Sequence, residues 1–159
     1  MEALAHSVGE RLRAAGETLA TAESCTGGWV AQLVTSVAGS SAWFDRGFVV
    51  YSNASKEQLV GVSARTLERH GAVSEETARE MALGALARSS ATLAVSVTGI
   101  AGPGGGTPGK PVGTVCFAWA GRGGSVRSDT RLFAGDRETV RRASVVHALQ
   151  GVLRSLDPP

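Results

Sequence analysis

A short apolar run, Thr18 to Ala22, ends in Glu23-Ser24-Cys25-Thr26-Gly27-Gly28 and passes at once into a helical apolar pattern from Trp29 to Val37. A buried strand that turns through hydroxyls and glycines straight into a helix is the unit from which α/β sheets are built. The rest of the chain follows the same grammar. Leu4, Val8 and Leu12 form a helical stripe over residues 3–15, closed by Gly16, and Phe44 to Tyr51 reads as a strand rich in aromatic and β-branched residues. Ala54 to Val60 reads as a short helix. Ser74, followed by Glu75 and Glu76, starts another that runs to about Arg88, the hydroxyl capping it and the acids facing the positive end of its dipole. Leu93 to Val97 is a buried strand. Gly113 to Ala120 and Val126 to Phe133 form a hairpin, and Asp136 caps a last helix that ends before Pro158 and Pro159. The expectation is a single domain over residues 1–159, a three-layer α/β/α sandwich around a mixed, mostly parallel sheet.

Composition narrows the function. A chain of 159 residues with 43% apolar content buries a core without staples. A formal charge of +2, with basic residues scattered, leaves no footprint for nucleic acid. Cys25 and Cys116 have no CxxC spacing, so neither a zinc site nor a disulfide framework is expected. His6, His70 and His147 are isolated in helical or turn contexts and are read as packing or surface residues. Residues 1–15 are too charged for a signal peptide and no run is long enough for a membrane helix, so a cytoplasmic protein without membrane contact is expected.

Ligands of α/β sheets collect beyond the carboxyl ends of the strands. Glu23, Ser24, Thr26, Gly27 and Gly28 bring hydroxyls and free backbone N–H groups to a helix start, which suits an anion such as phosphate. Thr98, Gly99 and Gly102 follow a second buried strand, where glycines let the backbone approach a ligand. Gly104 to Lys110 matches the opening of a phosphate loop, but Pro111 stands where a magnesium-binding hydroxyl belongs and a strand follows instead of a helix, so triphosphate chemistry is rejected. Between residues 40 and 56 lie Ser40, Ser41, Arg46, Tyr51, Asn53 and Lys56. A serine needs a base, and a lysine serves when burial lowers its pKa. Taken alone, Lys56 reads as a solvated lysine at a helix start. Cys25 is a rival nucleophile at a helix N-terminus, ranked below Ser41.

These segments together resemble the CinA C-terminal domain family. The resemblance is carried by Thr21 to Gly28, Ala38-Gly39-Ser40-Ser41, Tyr51-Ser52-Asn53 with Lys56, Gly71 to Ser74, Thr98 to Pro103, Lys110 to Val115 and Gly135-Asp136-Arg137, in that order along the chain. It implies a nicotinamide-nucleotide amidase that converts nicotinamide mononucleotide and water to nicotinate mononucleotide and ammonia in pyridine-nucleotide salvage, without cofactor or metal. It also implies a homodimer. By position it implies Ser41 as nucleophile, Tyr51 and Lys56 as proton-handling partners, Thr98 near the reacting centre and Arg137 on the substrate, with Asn53 beside them. The competing expectation is a non-catalytic nucleotide-binding domain of the same fold.

Overall fold

The computed structural model describes residues 1–158; Pro159, one of the two prolines expected after the last helix, lies outside them. In chain order the elements are α1 (Glu2–Ala15), β1 (Leu19–Glu23), α2 (Trp29–Thr35), a 3-10 turn (Ser40–Ala42), β2 (Phe44–Val49), α3 (Asn53–Val60), α4 (Ala64–His70), α5 (Glu75–Ala87), β3 (Leu93–Gly99), β4 (Thr114–Gly121), β5 (Val126–Leu132) and α6 (Arg137–Ser155). The sheet order is β2-β1-β3-β4-β5, with β1 parallel to β2 and β3 and with antiparallel β3–β4 and β4–β5 pairs. Four strands therefore run one way and only β4 opposes them, which is the mixed, mostly parallel sheet expected.

Side-chain alternation along the central strands builds the three layers. Val95, Val97, Val115, Phe117 and Trp119 face α1, α2 and α6. The intervening Ala94, Cys116, Ala118 and Ala120 face α5, as do Ala20 and Ala22 of β1. Small residues dominate this second face, and over it α5 and α3 pack close on each other: a Cβ on Gly84 would run into the Val60 carbonyl. Helix α5 starts where its sequence predicts, with the Ser74 hydroxyl accepting from Thr77 N–H. Helix α4 was not expected. It buries only Leu67, so it lacks the apolar stripe that reveals a helix, although Ser63 caps it by accepting from Arg65 N–H.

The topology places the site. Because β1, β2 and β3 are parallel, their carboxyl ends, Glu23, Val49 and Gly99, lie at one end of the sheet. The loops that follow them converge there, with the start of α6 alongside. The glycines of the first loop are required by conformation: Gly27 has φ 61° and Gly28 φ 97°, both in the left-handed region that side chains avoid.

Candidate active site

Beyond the carboxyl ends of β1, β2 and β3 is a cavity of ≈ 180 Å³ walled by Ser24, Tyr51, Asn53, Lys56, Thr98 and Gly99, with Cys25, Ala72, Val73, Ala101 and Arg137 completing it. Lys56 is its chemical centre. The side chain leaves the first turn of α3 and is 1% exposed. Its Nζ donates to Ser24 Oγ at 3.1 Å, to Val50 O at 3.1 Å and to Tyr51 O at 3.2 Å. No carboxylate lines the cavity to balance an ammonium. Burial accordingly pulls the Lys56 pKa below its ordinary 10.5, opposed by a smaller interaction with Cys25.

A neutral amine has two hydrogens and one lone pair, and this pocket sorts them. The two backbone carbonyls can only accept, so an amine that had lost its extra proton would give them its two hydrogens and turn its lone pair to the Ser24 hydroxyl. The arrangement is a serine hydroxyl in direct contact with a desolvated lysine amine, the residue types from which a nucleophile and its base can be made. Ser24 is placed by strand alternation: Ala20 and Ala22 face the α3/α5 side, and the next residue of that parity, just past the strand, points at Lys56. The N–H groups of Cys25 and Thr26, next along the chain, donate to no oxygen among the described residues. They are free to serve an anion forming at Ser24.

Ser41 does not join this group. It sits exposed in the 3-10 turn that enters β2, whereas Lys56 follows the end of that strand. Six residues of β2 separate the two ends, roughly 20 Å at about 3.3 Å per residue. The structure does not bring the expected Ser41 to Lys56, whose amine meets the Ser24 hydroxyl instead. Cys25 is no rival either, since burial pushes its thiol up to about 12 and keeps it protonated.

Other expected residues take different work. Glu23 is not available to a ligand: its carboxylate accepts from Thr26 Oγ1 at 2.7 Å, Val30 N–H at 2.8 Å and Ala31 N–H at 3.0 Å, capping α2 from inside. That carboxylate occupies the helix N-terminus proposed for phosphate, and Thr26 is consumed by the same cap. Thr98 lines the cavity, but its hydroxyl donates to Ala72 O at 2.8 Å and faces the cavity as an acceptor. The Tyr51 ring is 64% exposed at the rim, with its hydroxyl 3.4 Å from Arg137 Nη2. Lys56 meets Ser24 without it, so no relay through the phenol is needed. Arg137 also donates from Nη1 to Gly102 O at 2.8 Å, which ties the second glycine loop to the start of α6. Gly27 and Gly28 border a shallower hollow outside the cavity, shared with Thr26, Trp29, Gln32 and Arg141.

Arg141 escaped the sequence reading. It lies one turn beyond Arg137 on α6 and donates from Nε to Cys25 O at 3.1 Å and from Nη2 to Thr26 O at 3.2 Å. Its spacing of four from Arg137 was the available signal. A larger cavity of ≈ 480 Å³ opens beside His70, Ser74, Glu75, Lys110, Cys116 and Thr130, but its groups satisfy one another: Thr130 and Ser128 donate to Glu75, and Lys110 to His70 O. Among the described residues none of its hydrogen bonds joins a serine or cysteine side chain to a lysine or histidine side chain, as Ser24 and Lys56 are joined in the smaller cavity.

Fold and site together define an α/β protein with a serine–lysine pair at the carboxyl edge of a parallel sheet. The chain belongs to the CinA C-terminal domain family, whose pattern matches residues 1–156. It is 56% identical over 147 residues to nicotinamide-nucleotide amidohydrolase PncC of Escherichia coli K12, covering 92% of this chain and 89% of the relative. It is 52% identical over 151 residues to the protein of the same name from Pseudomonas putida, covering 95% and 94%. Among solved structures, the competence/damage inducible protein CihA of Agrobacterium tumefaciens superposes with a TM-score of 0.94 at 47% identity, covering 99% of this chain and 95% of that one. A CinA superfamily protein of Escherichia coli superposes at 0.93 and 40% identity, covering 97% and 89%.

Proposed function

We propose that this chain is a nicotinamide-nucleotide amidohydrolase, acting on nicotinamide mononucleotide, with Ser24 as nucleophile and Lys56 as general base and acid. The observation that carries the reading is the contact of Lys56 Nζ with Ser24 Oγ at 3.1 Å inside a cavity without a counter-charge. The names of the relatives supply the substrate class.

Neutral Lys56 takes the Ser24 proton as Oγ attacks the carboxamide carbon. The carbonyl oxygen becomes an oxyanion against the Cys25 and Thr26 N–H groups, a kind of donor whose loss costs about 2.7–4 kcal/mol in the transition state. Thr98, its own proton committed to Ala72 O, accepts a carboxamide N–H and so orients the leaving nitrogen. The Lys56 ammonium returns the proton to that nitrogen, the C–N bond breaks, and ammonia leaves an ester on Ser24. Water then attacks the ester with Lys56 again as base, releasing nicotinate mononucleotide and restoring the Ser24 hydroxyl. The cavity admits a pyridine ring and its carboxamide. The ribose phosphate runs outward past Tyr51 and Asn53 to Arg137, whose charge suits the phosphate.

A homodimer acting in the cytoplasm goes with this reading. It accords with open sheet edges at β2 and β5 and with two unpaired, buried thiols. Sedimentation at micromolar concentration tests the dimer. The reaction is tested by incubating the protein with nicotinamide mononucleotide and measuring ammonia and nicotinate mononucleotide, which should appear in equal amounts. Binding of the nucleotide without release of either product would refute the activity and leave a binding domain.

A further inference from the structure

We infer that Arg141 is a positioning residue for the oxyanion site, setting and polarising the Cys25 and Thr26 N–H groups through the backbone without touching substrate. The inference rests on the Ser24–Lys56 reading above and deepens it.

In a planar trans peptide the C=O and N–H point in opposite directions. Arg141 Nε donates to Cys25 O, so the N–H on the far side of that peptide, Thr26 N–H, is turned away from α6. Arg141 Nη2 donates to Thr26 O, and the N–H of that second peptide belongs to Gly27, which donates to Ser24 O at 3.1 Å. The peptide carrying Ser24 O is thereby fixed in turn, with Cys25 N–H as its far end. A guanidinium thus heads two hydrogen-bonded chains, one peptide long to Thr26 N–H and two peptides long to Cys25 N–H. Both end on a donor that reaches no protein oxygen among the described residues.

A cation on a carbonyl oxygen draws electron density from its peptide and makes the opposite N–H a better donor. Chained hydrogen bonds pass this polarisation on at about 10–30% per bond. The left-handed glycines let the loop curl back far enough for its carbonyls to reach α6. The guanidinium is itself held: its carbon lies 5.3 Å from the centre of the Trp29 ring, at the start of the helix that the same loop leads into. One residue of α6 therefore sets the geometry of a turn more than a hundred positions earlier in the chain.

The test compares Arg141→Met and Arg141→Lys with the unaltered protein, measuring kcat and KM on nicotinamide mononucleotide, the pH dependence of kcat/KM, and thermal unfolding. Removing a whole oxyanion donor costs about 10²–10³ in kcat, so weakening two should cost Arg141→Met about 10- to 100-fold. KM should stay within about twofold, and the acid limb belonging to Lys56 should not move. Arg141→Lys, which keeps the charge and can satisfy one carbonyl, should recover part of the loss. If the methionine variant does not fold, the lysine variant decides by the same split. Unchanged kcat in a folded variant overturns the inference. So does a rise in KM at constant kcat, which would make Arg141 a phosphate ligand, or a fall in kcat matched by the fraction of unfolded protein. If the unaltered protein releases no ammonia, the amidohydrolase reading itself has failed, an outcome distinct from any of these.

Discussion

Replacing Lys56 with methionine probes the base most directly, because methionine keeps the apolar stem and removes only the amine. Two effects on stability oppose each other. Val50 O and Tyr51 O lose a donor, at about 1 kcal/mol each, while a buried polar head no longer has to be desolvated, so the net loss should be under about 2 kcal/mol. Catalysis has no such offset. Loss of a general base costs about 10²–10⁴ in rate, which is about 3–5 kcal/mol of barrier. The pH dependence follows from the lowered pKa. Between the depressed native value and the ordinary 10.5, the unfolded chain holds the proton that the native state has shed. Stability therefore rises with pH across that window, and the penalty of the buried ammonium is fully present below it. kcat/KM should instead climb as pH rises through the depressed native value, where folded Lys56 becomes neutral, and level off within that window. Ammonia release and denaturant unfolding, each followed from neutral to alkaline pH, read both quantities. Lys56→Met should flatten the stability slope and abolish the rate increase. Lys56→Arg, always charged, should be as inactive as the methionine variant. If Lys56→Met kept kcat/KM within about tenfold the base would lie elsewhere, and if Lys56→Arg stayed active while Lys56→Met did not, the residue would be working through its charge.

Ser24→Ala should abolish ammonia release, by about 10⁶-fold as for loss of a nucleophile in a comparable unit, whereas Ser41→Ala on its exposed turn should change kcat less than about twofold; the reverse result would reinstate Ser41. Tyr51→Phe should lower kcat by less than about threefold because Lys56 reaches Ser24 directly, and a loss near a hundredfold would show that the proton does travel through the phenol. Glu23→Ala strips the cap from three donors at the start of α2 and should cost about 3 kcal/mol or more in urea unfolding, while an unperturbed midpoint would show that the loop holds itself.

How much of this was legible in the sequence depends on what each inference needed. The layers were legible because β1, β3 and β4 are buried on both faces and so read as short, mostly apolar runs with glycine or hydroxyl residues at or just past their ends. Helix α4 was not, because a segment that buries one leucine has no periodicity to detect. Lys56, Tyr51, Asn53, Thr98 and Arg137 were picked out and do surround one cavity, since each stands at or just past the end of a strand or at the start of a helix facing that edge. Glu23 was misassigned for a reason of local geometry: as the last residue of β1 its side chain takes the α2 face, where three donors wait for it, and a sequence shows the acid without showing that its oxygens are spoken for.

The serine that meets Lys56 is the instructive case, because its position followed from elements already recognised. Ser41 is 15 positions from Lys56 and Ser24 is 32, so nearness along the chain favours Ser41. Yet the segment between Ser41 and Lys56 contains β2, and a strand carries the chain from one end of the sheet to the other. A residue that enters a strand and one that leaves it cannot meet unless the chain doubles back. Parallel neighbours behave in the opposite way: whatever follows β1 emerges beside whatever follows β2, however many residues intervene. Ser24 and Lys56 occupy those two positions, and the parallel pairing of Glu23 with Val49 brings them together. In a parallel sheet, candidate catalytic partners are therefore to be sought among residues that share a place after their strands, and sequence separation carries almost no weight beside that.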